Sequence, residues 1–124
     1  MLNTLLASLV AATLATGSDT PKPKPDFANK SAMLVVEVCG RGCYQYVLKL
    51  PKQAKNAVLY PTNLSDEMQK QAMDYGMNNP AGLPVTFSGK LMKQKTQIKK
   101  PGAADVPESN YQAQNVTITA IKRQ

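Results

Sequence analysis

Histidine is absent from this 124-residue chain. That absence removes Ser-His-Asp and Cys-His activation of a nucleophile, and with them every imidazole metal site. Arginine is scarce: of 15 basic residues only Arg41 and Arg123 are arginine. Lysine is a hydrated point charge, whereas the planar guanidinium is the group that reads phosphates and base edges bidentately. Specific nucleic-acid recognition is therefore not expected. There is no GxGxxG and no P-loop. The acidic residues are scattered, without a pair spaced for acid/base catalysis. No apolar run approaches the about 20 residues needed to cross a bilayer. These absences predict a protein that is not an enzyme, takes no cofactor or metal, and has no membrane span.

What is present begins with an address. Leu5 to Ala15 is apolar and uncharged, and Ala15-Thr16-Gly17 is a small-x-small cleavage site. Residues 1–17 thus read as a secretory signal, and the product as periplasmic or secreted. No cysteine follows that run, so a lipid anchor on the mature N-terminus is not expected. Asp19-Thr-Pro-Lys-Pro-Lys-Pro-Asp26 alternates proline with lysine, which favours extended polyproline geometry. Residues 18–31 are assigned as a tether and 32–124 as one folded domain. The formal net charge of +7 favours loose attraction to polyanions, or simply a soluble, self-repelling surface.

Periodicity predicts a mainly β domain. Met33 to Cys39 and Cys43 to Leu50 flank Gly40-Arg41-Gly42, a three-residue hairpin signal. Setting Cys39 opposite Cys43 places Val38 against Tyr44, Val36 against Tyr46 and Leu34 against Leu48, all on one inward face. Glu37, Gln45 and Lys49 occupy the other face, with Val35 and Val47 among them. Asn56 to Tyr60 is a third strand. Ser65 is placed to cap a helix carrying Leu64, Met68, Ala72 and Tyr75 at helical spacing, with Gly76 as its stop. Pro84 to Met92 is a fourth strand with Val85, Phe87 and Leu91 inward and Gly89 marking a bend or bulge. Tyr111 to Ile121 is a fifth, with Val116, Ile118 and Ala120 inward. Lys93 to Asn110 reads as a long polar connection. Strand, strand, strand, helix, strand, strand is the element order of a five-stranded OB-like barrel.

Four segments carry a family resemblance: Cys43-Tyr-Gln-Tyr-Val-Leu48, Leu59-Tyr-Pro-Thr-Asn-Leu64, Pro84-Val-Thr-Phe-Ser-Gly-Lys-Leu91 and Val116-Thr-Ile-Thr-Ala-Ile121. Together they resemble small exported OB-like proteins of Gram-negative bacteria, many of them lipid-anchored and without an assigned activity. The resemblance implies the barrel and an envelope setting. It brings no catalytic motif, and this chain lacks the anchor cysteine.

Three local features bear on chemistry. Cys39 and Cys43 face each other across the expected turn and should oxidise in an exported protein. A loop so short contributes about 2 kcal/mol as a structural staple. Its alternative is a thiol-disulfide redox pair, with Arg41 and the glycine amides lowering a thiol pKa. Met68, Met73 and Met77 are read as packing residues and not as a soft-metal site, and Ser88 with Lys90 as an ordinary strand pair. Lys90, Lys93, Lys95, Lys99 and Lys100 form an acid-free basic stretch after the fourth strand. With Arg41 and the barrel face beside it, this stretch is the expected contact surface for a protein, a glycan or another anionic envelope polymer. A purely structural envelope role is the remaining alternative. Asn29, Asn63 and Asn115 head glycosylation-type triplets.

Overall fold

The computed structural model describes residues 26–51 and 57–124. The expected signal, the proline-lysine run to residue 25, and Asn56 lie outside the described residues.

Strand β1 (Phe27–Gly40) and strand β2 (Cys43–Lys49) form the expected antiparallel hairpin. Leu34 pairs with Leu48, Val36 with Tyr46 and Val38 with Tyr44. Only the tip differs. Gly40, not Cys39, is the partner of Cys43, so Cys39 is an extra residue in a bulge. The inward face also runs out before the tip. Leu34 and Leu48 are fully buried and Val36 and Tyr46 pack against the core, but Val38 and Tyr44 are about half exposed. The hairpin is longer than the barrel it helps to close. At its other end β1 begins at Phe27, inside the stretch expected to be tether, because Phe27 pairs with Gly89 and its ring meets that of Phe87 at 5.4 Å.

Strand β3 (Val58–Pro61) leads into helix α1 (Asp66–Gly76). The Ser65 hydroxyl accepts the Met68 amide at 3.2 Å, satisfying one of the orphan donors of the first turn. Asp66 and Glu67 sit where the helix dipole favours negative charge. Met68 and Ala72 are buried, with Leu64 and Tyr75 packed at the core margin, as the spacing predicts. Between β3 and the helix, Asn63 acts as one more strand residue. Its carboxamide donates to the Ile118 carbonyl and accepts the Ile118 amide, both at 2.8 Å.

Strand β4 (Leu83–Pro101) and strand β5 (Pro107–Arg123) are far longer than their apolar alternation implies. The segment 93–110, expected as an irregular connection, is a second β-hairpin turning through Gly102 to Val106. Strand order is β1-β2-β3-β5-β4, closed by β1 against β4, with β3 and β5 parallel. This is a closed, mainly β, OB-like barrel with its helix between strands three and four. Leu34, Leu48, Leu59, Leu83, Val85, Phe87 and Val116 fill it, with Met68 and Ala72 from the helix.

Bulges set the parity of the long strands. At Gly89 the β4–β5 register slips, leaving Thr119 as an extra residue between Ile118 and Ala120. A side chain on Gly89 would meet the Thr117 carbonyl oxygen at 2.7 Å, so glycine is what permits the close approach. The slip turns Ala120 outward and brings Ile121 back to the core margin, correcting the inward placement expected for Ala120.

Candidate binding face

In OB barrels the outer face of strands two and three, together with the loops joining strands one to two and four to five, is where ligands are held. Here that face is covered by the chain itself. The distal part of β4 and β5 lies over the outer side of β1, β2 and β3. Val35 and Val47, the apolar residues on the otherwise polar face of the first hairpin, are buried there with Ile98 and Ala113. Met33, Val58, Tyr60 and Tyr111 pack around them.

Polar contacts hold the cover in register. Gln45 spans the gap with both ends of its amide: it donates to the Gln97 carbonyl at 3.1 Å and accepts the Lys99 amide at 2.8 Å. The Tyr111 hydroxyl donates to Glu37 at 2.9 Å. Burial, then the hydrogen bond and charge of Glu37, push the Tyr111 phenol above its ordinary range. Where β4 bends, Gln114 bonds the Met92 carbonyl, and the Thr117 hydroxyl lies 3.0 Å from the Met92 sulfur. Asn115 is buried with Thr96 at 2.6 Å, and the Asn63 carboxamide is committed to Ile118. Neither is a free acceptor for a glycan.

The two hairpin tips meet. Gly40 has φ of +148°, and a Cβ there would stand 2.6 Å from the Asp105 carbonyl oxygen. Arg41, expected at the contact surface, reaches Asp105 at 3.8 Å with its side chain almost wholly in water, so the pair adds little. Cys39 and Cys43 lie at disulfide distance, with Cα atoms 5.1 Å apart. Cys39 is fully buried.

The basic residues remain open. Lys90, Lys93, Lys95, Lys99 and Lys100 are all exposed, on a strand and not on the loop expected. Among the described residues only Lys100 of the five has a carboxylate partner, Glu108 at 3.7 Å. No acidic residue occurs between Asp74 and Asp105, or after Glu108. Opposite the lysines β5 offers neutral polar residues: Lys90 pairs with Thr117 and Lys95 with Gln114. The register sets these lysines on both faces of the β4–β5 ribbon, because Thr117 and Gln114 are three residues apart on β5.

A groove of about 370 Å³ lies elsewhere, between the β1 segment Val35–Val38 and the end of α1. Met73 and Met77 both line it, while Met68 stays in the core. Among the described residues no hydrogen bond joins Ser88 to Lys90; the Ser88 oxygen accepts the Asn29 amide at 2.9 Å.

The covering hairpin is what sequence reasoning missed. Its signal was the absence of Gly, Pro, Asn, Asp and Ser from Lys90 to Lys100, followed by a turn-forming cluster from Pro101 to Pro107. An 18-residue structureless connection would itself be unusual in a small domain. No family model, no curated protein and no solved structure matches this chain.

Proposed function

We propose that this chain is an exported, non-enzymatic binding module that holds an anionic polymer along the exposed lysines of β4. The observation that carries the reading is the row of exposed lysines along the ordered strand β4, of which only Lys100 forms an ion pair among the described residues, although the Asp26 carboxylate accepts the Leu91 amide at 2.6 Å beside Lys90. Such a row gains affinity chiefly by displacing counterions from a polyanion, without reading its sequence. The apolar run Leu5–Ala15 and the Cys39–Cys43 pair support export into an oxidising compartment. The OB-like order agrees with the resemblance to small exported envelope proteins.

The test is a salt titration. Binding of the protein to dextran sulfate should fall steeply between low and physiological salt, and neutral dextran should not bind. A variant carrying Lys90→Gln, Lys93→Gln and Lys95→Gln should bind about tenfold more weakly, with a shallower salt slope. A flat salt response removes the lysine-driven reading.

A thiol-disulfide role for Cys39 and Cys43 is less well supported. Cys39 is buried at the hairpin tip, so the pair is better suited to stapling the reversal than to exchange with a partner thiol.

A further inference from the structure

On the outer face of β1, β4 and β5 there is a smaller cavity of about 240 Å³. Its polar lining is Asn29, Thr86, Ser88 and Lys122, with Ala120 and Ile121 as an apolar side. Two register irregularities meet here. One is the β1 bulge between Phe27 and Lys30, where Asn29 has a φ of +49°. The other is the slip at Gly89 that turns Ala120 outward. Bulges of this kind re-aim side chains and open the gap that regular pleating would close.

The hydrogen-bond bookkeeping of the cavity is one-sided. The Ser88 oxygen accepts the Asn29 amide at 2.9 Å. The Thr86 oxygen accepts the Gln124 side-chain amide at 3.1 Å. Both hydroxyls therefore have an acceptor lone pair engaged by the protein and an O–H left to donate. Lys122 is exposed, opposite Thr86 in the ladder, and has no acidic neighbour in sequence. The Thr86 and Ser88 hydroxyls and Lys122 line this space of about 240 Å³. That is a site for one small, acceptor-rich unit. The Asn29 carboxamide can both donate and accept, which suits a hydroxyl beside a carboxylate, and Ala120 gives a ring a flat apolar surface.

The outward face that lines the cavity leads to Lys90, beside which the Asp26 carboxylate accepts the Leu91 amide at 2.6 Å. Thr86, Ser88 and Lys90 are successive outward residues of β4, alternating with buried Val85, Phe87 and Gly89. We infer that this cavity seats one uronic acid residue of an acidic polysaccharide, whose chain then continues past Lys90. The inference rests on the polyanion reading above and narrows it from charge to carboxylated sugar.

The experiment compares two carboxylate polymers on the full chain: polygalacturonate, which has sugar rings, and polyglutamate, which has none. Polygalacturonate should bind about tenfold more tightly at equal carboxylate concentration and salt. Asn29→Gly suits the left-handed backbone at that position, and Lys122→Gln is a surface change. Each should abolish most of the preference for polygalacturonate, and Asn29→Gly should leave polyglutamate binding unchanged. Equal binding of the two polymers, or a preference indifferent to both substitutions, overturns the sugar site while leaving the lysine reading intact. If neither polymer binds while dextran sulfate does, only the sugar site falls; if none of the three binds, both readings fall.

Discussion

Single residues decide how the outer layer is attached. Tyr111 is the clearest case, because its hydroxyl ties β5 to Glu37 of β1 across the cover. Burial first, and then the hydrogen bond and charge of Glu37, favour the protonated phenol over its ordinary value of 10.0. The unfolded chain releases this proton near pH 10 while the folded chain retains it. The phenol's contribution to stability is therefore complete below pH 10 and is lost as pH rises from there through the higher folded value. Tyr111→Phe should be less stable at neutral pH and should lose stability less steeply above pH 10. Urea midpoints collected from about pH 8 to 12 check this, and parallel curves for the two proteins would refute it. Asn63 and Gln45 work at the same scale: each uses both ends of a carboxamide to imitate a strand partner.

At the scale of elements, the parts with local signals formed where the sequence placed them. Helix α1 is set by Ser65 and by an apolar stripe at its own period. Ser65→Ala should cost about 1 kcal/mol, visible as a lower urea midpoint with an unchanged m-value. A change within error would mean that packing of Met68 and Ala72, and not the cap, holds the helix start. The first hairpin was legible for a similar reason. Glycines at the turn and alternation on both arms agree on one register, and the structure has that register from Met33 to Val38. The tip escaped because a bulge adds a residue without leaving a pattern in sequence, so Cys39 opposing Cys43 gave way to Gly40. The distal hairpin escaped for a different reason. Lysine and glutamine are poor strand formers by themselves, and Ile98 is the one large apolar residue between Lys93 and Lys100. Those residues are strand because β5 pairs with them and because the sheet below needs a cover.

For the whole molecule, the consequence is a barrel with two cores. One fills the interior. The other, around Val35, Val47, Ile98 and Ala113, seals the face that OB barrels leave for ligands. This displaces the candidate site from the β2–β3 surface to β4 and β5, where the lysines stand exposed. Ile98→Ala empties the centre of the second core and should cost about 3 kcal/mol. Its effect should be uneven. Amide hydrogen exchange should quicken around Gln45, Lys99 and Tyr111, while β4 residues near Val85 and Phe87 stay protected. Uniform loss of protection would show that the cover and the barrel unfold as one unit.

Alternation, turn residues and capping are local properties of the backbone, and by themselves they determined the strand count, the helix and its position, the first hairpin's register and most of the inner core. The lysine row was also readable as composition, though not as a strand. Closure decided the rest. A barrel forces bulges where strands must bend, and each bulge reverses which side chains face inward, as at Ala120. Strands that outrun the barrel must bury or expose their surplus length, and here the surplus folds back onto Val35 and Val47. No residue's neighbours along the chain encode that choice. It follows from the shape the closed sheet leaves uncovered.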